Sequence, residues 1–378
     1  MISVFGYQHA VGRLYQTPKP NFTELSHLFF LMARHRIEIG ERTIKSFSFF
    51  LEIQMKKSLV FLAVLAASSA AMAQSNVTLY GVVDAGFTHE DNGSTSVNRL
   101  DSGMLNGSRW GLKGTEDLGS GLNALFVLES GFGTDTGAQA DAARLFNRQS
   151  FVGLSGGFGT VKLGRQKNPL YSNNDVFDPF ANGLAGDTSR LINYQGSRTD
   201  NTITYAYAAN GLRGEFQYGL GEVGGNSSAS RTIAGLLGYK NGPIDVVLTT
   251  QDVRNATDTD STKVTLLGGN YNFGFAKAFL TYDIEKGTGT TDLSNTVIGA
   301  TVPMGAGNVM VSYINHQNKA VSSSDAHQFA VGYTYDLSKR TTLYTSYGRL
   351  TNDSKSAVKV TTAGNTDSLF DFGVRHNF

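Results

Sequence analysis

The sequence predicts an all-β fold: a 16-stranded antiparallel transmembrane β-barrel with an inward-folded third loop. Three observations lead to this fold. Short stretches alternate between apolar and polar residues, the connections between them are short and long in turn, and the last strand is amphipathic. A single long irregular segment at about 168–199 is then the candidate for the inward-folded loop, since structureless loops of that length are usually functional.

The composition agrees with many short strands joined by tight turns. The 378 residues include 44 Gly, 16 Tyr and 24 Phe but only 6 Pro, and 17% are charged. The absence of Cys excludes disulfides, thiolate metal sites and cysteine nucleophiles. The net charge of +1 is not gathered into a basic stripe, so we expect no nucleic-acid partner.

The first 73 residues differ from the rest of the chain. Two lysines and a short apolar run follow Met55, and an A-x-A cleavage site ends at Ala73, so residues 55–73 are predicted to be a secretory signal peptide. Because such a signal should begin a protein, residues 1–54 are interpreted as an extension from an upstream start site, with a genuine N-terminal extension as the alternative. Residues 74–378 contain no run of the ~20 apolar residues that a membrane-spanning helix needs.

A period of two begins just after the predicted cleavage site. The apolar face of the first stretch carries Val77, Leu79, Val83, Ala85 and Phe87, with Thr78, Tyr80 and Asp84 on the other face. Alternation of this kind is typical of half-buried strands. Sixteen strands are predicted near 76–88, 106–117, 120–132, 145–155, 158–167, 200–209, 211–221, 230–240, 242–254, 261–272, 274–286, 292–302, 306–318, 325–337, 339–352 and 367–378.

The connections between these strands favour a membrane barrel over a soluble β-sandwich. Tight turns at Leu118-Gly119, Gly156-Gly157, Asn210, Asn241, Phe273, Met304-Gly305 and Ser338 alternate with long polar segments such as 89–105, 132–144 and 351–366. Short turns on one side, long loops on the other and an even strand count characterise outer-membrane barrels. Closure also removes the unpaired strand edges that lipid would penalise.

The final strand supports the same fold. Phe370, Phe372, Val374, His376 and Phe378 share one face, and polar residues or glycine occupy the other. An amphipathic strand that ends on Phe378 suits closure of a barrel against its first strand, whereas terminal residues of soluble proteins usually fray. We therefore assign Phe378 to barrel closure and assembly.

At this point the chain resembles the general, non-specific porins of Gram-negative outer membranes, particularly the β-proteobacterial type. The matching stretches are VTLYGVVDAGF (77–87), SRWGLKGTEDLGSGL (108–122), LFNRQSFVGL (145–154), GTVKLGRQ (159–166) and FGVRHNF (372–378). The resemblance implies a homotrimer of water-filled barrels in the outer membrane, in contact with lipid and lipopolysaccharide. It also implies delivery to the barrel-assembly machinery through the C-terminal strand, and passive passage of ions and small hydrophilic solutes.

The resemblance further implies that acids on the third loop face arginines on the opposite wall. The acids at the family's positions resemble Asp175 and Asp178, although the family's usual proline and glutamate are not reproduced, because Asp178 precedes Pro179. The basic cluster is predicted to contain Arg109, Lys113, Arg148 and Arg198, with Glu129 also in the lumen.

Strand parity supports these lumenal positions. Arg109 and Lys113 face inward if Trp110 and Leu112 face lipid, and Arg198 faces inward if Ile203, Tyr205 and Tyr207 face lipid. By the same count Arg148, Ser150 and Val152 face inward and Phe151 and Gly153 outward, and Glu129 lies opposite Phe126, Leu128 and Phe132. A lipid-facing Arg or Lys would cost ~2–4 kcal/mol at the midplane. The basic residues slightly outnumber the acids, which predicts a weak preference for anions.

Other interpretations remain open at this stage. The loop charges could simply anchor the loop through salt bridges, or the pore could be a substrate-specific anion channel. An outer-membrane enzyme or adhesin is a further alternative, with His89 or His316 as candidate catalytic residues. The scattered histidines lack metal-ligand spacing, so no metal and no cofactor are predicted.

Overall fold

The computed structural model describes residues 75–289 and 291–378, and the interpretations of residues 1–54 and 55–73 lie outside the described residues. Seventeen strands, one helix and one short 3-10 turn make up the described part. The strands are β1 Ser75–Asp91, β2 Ser96–Ser102, β3 Arg109–Gly119, β4 Leu122–Gly131, β5 Gln149–Gly156, β6 Gly159–Lys167, β7 Arg198–Ala209, β8 Leu212–Gly219, β9 Thr232–Asn241, β10 Ile244–Arg254, β11 Ser261–Asn272, β12 Lys277–Gly287, β13 Thr291–Met304, β14 Gly307–Asn318, β15 Ala326–Asp336, β16 Thr341–Asn352 and β17 Thr366–Asn377. The helix α1 spans Pro169–Phe177, and the 3-10 turn spans Thr188–Arg190.

The strands form one closed antiparallel barrel. Each strand from β3 to β17 pairs with the next, and β1 closes the sheet by pairing with β17 from Val82↔Asn377 to Asp91↔Ser368. On its other edge, β1 pairs first with β3 and then with β2. β2 and β3 therefore occupy one position in the barrel, so the 17 strands fill sixteen positions. The predicted 16-stranded barrel is confirmed.

The break between β2 and β3 was not predicted. Residues 89–105 were expected to be a long loop, but β1 continues to Asp91, a short turn follows, and β2 pairs back onto β1. The residues between β2 and β3 leave the ladder, because the N–H groups of Leu105 and Asn106 donate to Asp84 Oδ2 at 3.0 and 2.7 Å. We call residues 103–108 the insert.

Strands such as β10, β15 and β16 have an exposed outer face and a covered inner face, as the alternation predicts. In β11, Leu267 is 58% exposed and faces outward, whereas its neighbour Leu266 is 0% exposed and faces inward. Ile203, Tyr205 and Tyr207 are exposed on the outer face as expected. In the described residues, no helix is long and apolar enough to cross a membrane.

The parity predicted for β5 is wrong. Val152 is 56% exposed and Gly153 is buried, so Val152 faces outward, and Phe151 and Gly153 face inward. The count began at Arg148, but β5 begins at Gln149, and Gln149 pairs directly with the inward-facing Glu129. Alternation cannot be extended to a residue that lies outside the strand.

Candidate pore constriction

Residues 168–199, which we call the inner segment, are more ordered than the sequence suggested. Asn168 caps α1 by accepting from Tyr171 N at 2.6 Å, and Pro169 occupies the first turn, where its missing N–H costs nothing. The helix ends at Phe177, because Asp178 is extended and Pro179 follows. The expectation of a wholly irregular loop is therefore wrong.

Hydrogen bonds join the inner segment to side chains on the inner face of the barrel. Asn270 of β11 donates to Val176 O at 3.2 Å, and Thr281 of β12 donates to Phe177 O at 3.2 Å. Further along, Ala185 N donates to Ser346 Oγ of β16 at 2.9 Å. The segment thus follows the inner wall from β11 towards β16.

An apolar cluster holds the same segment against the wall. The segment contributes Leu170, Phe177, Leu191, Ile192 and Tyr194, and the strands contribute Leu236, Val247, Val264, Leu266, Val297, Ile314, Ala326 and Leu350. Because the lumen of a porin-like barrel is polar, apolar residues at inward positions of a strand indicate a covered wall. This signal is already present in the sequence, for example at Val264 and Leu266 of β11.

Residues 184–185, which we call the tip of the inner segment, form hydrogen bonds on two sides. Leu184 N donates to Met104 O of the insert at 2.6 Å, and the neighbouring residue Ala185 bonds to Ser346. Asp84 holds the insert in turn and also accepts from Tyr344 Oη at 2.7 Å. The insert is therefore a second element inside the barrel that positions the tip.

Two of the predicted arginines meet at one carboxylate. Glu129 is 5% exposed, and its oxygens lie 2.9 Å from Arg148 Nε and 3.6 Å from Arg109 Nε. Tyr80 Oη donates to the same carboxylate at 3.0 Å. Lys113 joins this group, since its Nζ lies 5.1 Å from the centre of the Tyr80 ring.

Arg198 lies at the start of β7, close to this group. Its Nη1 donates to Ser197 Oγ at 2.8 Å, and its Nε is buried without a hydrogen-bond partner among the described residues. Arg165, which was not among the predicted site residues, binds Asp200 at 2.5 Å and Asn147 O at 2.7 Å. β6 has a register irregularity between Gly164 and Gln166, so strand parity could not have placed Arg165.

The two predicted acids of the inner segment behave differently. Asp175 is partly exposed and binds Lys167 Nζ at 2.9 Å. Asp178 is 2% exposed, and its oxygens accept from Phe180 N at 3.0 Å, Asn182 N at 2.9 Å and Thr188 Oγ1 at 3.2 Å. Burial raises the pKa of Asp178 to about 7. Asp178 therefore forms hydrogen bonds within the inner segment and does not face the lumen, which corrects its assignment as a lumen-facing acid.

Carboxylates on the inner face of β12 and β17 are covered. Glu285 accepts from the side chains of Asn193 and Gln195 of the inner segment, each at 3.0 Å. Asp367 pairs with Arg190, and Asp371 accepts from Ser346 Oγ at 2.7 Å beneath Ala185. All three are less than 5% exposed. The inner segment thus covers acids of β12 and β17, whereas Arg109 and Arg148 keep 23% and 17% of their side chains exposed.

The remaining site predictions concern the terminus and the histidines. Phe378 exchanges two backbone hydrogen bonds with Gly81, both at 3.1 Å, and so extends the β1–β17 seam. His89 bonds to Asn98 and His316 to Asn295, each at 2.7 Å. Within residues 75–289 and 291–378, no group of three His, Cys, Asp or Glu could hold a metal ion.

Comparisons with known proteins agree with the fold. The family described as Gram-negative porin matches residues 59–355. Outer membrane porin protein 32 of Delftia acidovorans is 37% identical over 357 residues, covering 86% of this chain and 100% of the relative. The major outer membrane protein P.IB of Neisseria meningitidis serogroup B is 32% identical, with the same coverage.

A solved structure shows the same architecture. The anion-selective porin from Comamonas acidovorans superposes with a TM-score of 0.72 at 32% identity, covering 80% of this chain and 100% of that one. The resemblance found in the sequence is therefore confirmed. The chain belongs to the Gram-negative porin family, and it forms a β-barrel channel in the outer membrane.

Proposed function

We propose that this porin passes small hydrophilic solutes passively and prefers anions over cations. One observation carries the proposal: the inner segment covers the carboxylates of Glu285, Asp367 and Asp371, whereas Arg109 and Arg148 stay partly exposed. Clusters of charged side chains set the ion preference of a pore. The anion selectivity stated for the similar porin from Comamonas acidovorans supports the same sign.

The inner segment acts as the constriction in this proposal. Solutes pass between it and the wall that carries Arg109, Arg148 and Arg198, with Lys113 nearby. Low-dielectric walls focus the field of these charges and raise the local concentration of anions. Asp175 and Glu129 temper the positive potential, so the preference is moderate rather than absolute.

The assembly and surroundings of the barrel follow from its family. We propose a homotrimer that lies in outer-membrane lipid and lipopolysaccharide and is inserted by the barrel-assembly machinery through its C-terminal strand. No catalytic role is proposed, because His89 and His316 each bond to an asparagine side chain rather than to a nucleophile or carboxylate. An unheated sample should migrate as a trimer on a denaturing gel and collapse to monomers on boiling.

A substrate-specific anion channel is the second candidate. A cavity of about 500 Å³ lies on the inner segment and is lined by Tyr171, Ser189, Arg190, Leu191, Ile192, Asn193, Tyr194, Gly196 and Ser197. Its size and mixed lining suit a small ligand. Saturating flux and block of the current by one anionic solute would favour this candidate, whereas flux proportional to concentration favours the general pore.

The proposal is tested by single-channel conductance and zero-current potential in a KCl gradient, on the wild type and on Arg148→Ala. The matched control is Arg254→Ala, which removes an arginine bound to Asp258 four residues away at 2.6 Å. Arg148→Ala should move selectivity towards cations, and the control should not. If both variants keep the wild-type potential, Arg148 does not act in the constriction. If the folded barrel shows no channel activity, the pore itself is wrong.

A further inference from the structure

Four glycines on the inner face of the barrel receive the inner segment. Gly268 of β11 lies against Phe177, Gly299 of β13 against Pro179, Gly332 of β15 against Phe180, and Gly348 of β16 against Ala185. Successive residues of the segment thus meet glycines on successive parts of the wall. We call these four residues the glycine track.

The contacts leave no room for a side chain at these positions. A Cβ added at Gly348 would lie 2.6 Å from Ala185 O, and one added at Gly332 would lie 2.8 Å from the Phe180 ring. A Cβ at Gly268 would lie 3.0 Å from Phe177. Since carbon atoms pack best at about 3.5–4.0 Å, an added methyl group would require the segment to move by about 0.5–1 Å.

At three of the four positions, the atoms nearest to an added Cβ do not include the backbone of a barrel strand. The close neighbours of Gly268 and Gly348 belong only to the inner segment, and those of Gly332 are all side chains. Gly299 differs, because a Cβ there would also meet the backbone of Val311. A substitution at Gly268, Gly332 or Gly348 should therefore shift the inner segment without breaking strand pairing.

We propose that the glycine track sets the aperture of the channel by fixing how closely the inner segment approaches the wall. The wall is a hydrogen-bonded ladder and resists displacement, so a methyl group on the track pushes the segment into the lumen, towards Arg109 and Arg148. The track thereby determines the size cut-off for solutes. This inference rests on the proposed constriction by the inner segment, but it concerns size and not charge.

The experiment compares Gly268→Ala with Gly269→Ala. Gly269 is the next residue of β11 and faces outward, where a Cβ would meet Val246 at an ordinary 3.4 Å. Both variants carry the same change of helix and strand propensity in the same strand. Conductance in KCl and the swelling rate of liposomes in neutral sugars of increasing size are measured, with heat-dependent gel mobility as the check of folding.

Gly268→Ala, Gly332→Ala and Gly348→Ala should each lower conductance and shift the cut-off to smaller sugars, and Gly269→Ala should leave both unchanged. Adding Phe180→Leu to Gly332→Ala frees space beside the new methyl group and should restore conductance. Unchanged sugar permeation in all three folded variants would overturn the inference. The proposed anion preference is read separately from the zero-current potential, so the two proposals can fail independently.

Discussion

Replacing Glu129 with Gln is expected to strengthen the preference for anions. The Glu129 carboxylate lies 2.9 Å from Arg148 and 3.6 Å from Arg109, and it is the acid that both arginines share. Gln keeps the shape of the side chain and can still accept the hydrogen bond from Tyr80. The change is therefore mainly the loss of one negative charge beside the proposed path of the solutes.

The size of the effect follows from distance. An anion in contact with Arg148 would lie about 5 Å from the Glu129 carboxylate, and two unit charges at that separation interact by about 0.8 kcal/mol in water. Screening over a Debye length of about 10 Å at 0.1 M salt reduces this to about 0.5 kcal/mol, or roughly twofold in occupancy. Removing the charge raises the occupancy of anions by this factor and lowers the occupancy of cations by the same factor. The ratio of anion to cation permeability should therefore rise about fivefold.

The assay is the zero-current potential in a KCl gradient, with Asp141→Asn as the control. Asp141 also pairs with an arginine, Arg144, at 2.7 Å, but in the long loop between β4 and β5 and with 27% of its side chain exposed, so its removal should leave the ratio unchanged. Because removing one partner of a buried ion pair can cost about 3–5 kcal/mol, Glu129→Asp is included as a variant that keeps the charge. An unchanged ratio in folded Glu129→Gln would refute the reasoning.

Three further predictions concern stability. Burial raises the pKa of Asp178 from 3.8 to about 7, so protonation of its carboxyl group favours the folded inner segment. This contribution to stability is complete below pH 3.8 and is lost as the pH rises through about 7. Current fluctuations should therefore be fewer at about pH 5 than at about pH 8, and Asp178→Asn should abolish the difference. Deleting Phe378 removes the two hydrogen bonds to Gly81 and should lower the yield of heat-modifiable barrel, whereas Phe378→Tyr should not. Leu266→Ala, at a fully buried inward position, should cost about 2–5 kcal/mol and speed protease cleavage of the inner segment, whereas the outward-facing Leu267→Ala should not.

The fold was predictable because strand alternation and turn chemistry are local signals. The outward row of Ile203, Tyr205 and Tyr207 is correct, and so is closure of β17 against β1. The incorrect predictions concern positions where the pairing between strands is interrupted. The insert separates β2 from β3 because Asp84 binds its backbone, a contact between residues about twenty positions apart that alternation cannot indicate.

Two of the predicted basic residues lie together, and the two predicted acids of the inner segment lie in different surroundings. Arg109 and Arg148 both reach Glu129, although the parity that was used for Arg148 was wrong. Asp178 has the residue type of a lumenal acid, but its carboxylate accepts hydrogen bonds from N–H and hydroxyl groups of its own segment. A sequence shows which residues can ionise, and only packing shows which of them meet solvent.

The sign of the selectivity depends on what the inner segment covers. The whole chain has nearly equal numbers of basic and acidic residues, 32 and 31, so composition does not decide it. Replacing residues 169–197 with a short Gly-Ser linker would uncover Glu285, Asp367 and Asp371 and would remove Arg190, which pairs with Asp367. We expect a larger conductance and a zero-current potential shifted towards cations. If the wider channel stayed as anion-selective as the wild type, the exposed arginines alone would set the preference and covering of the acids would be irrelevant.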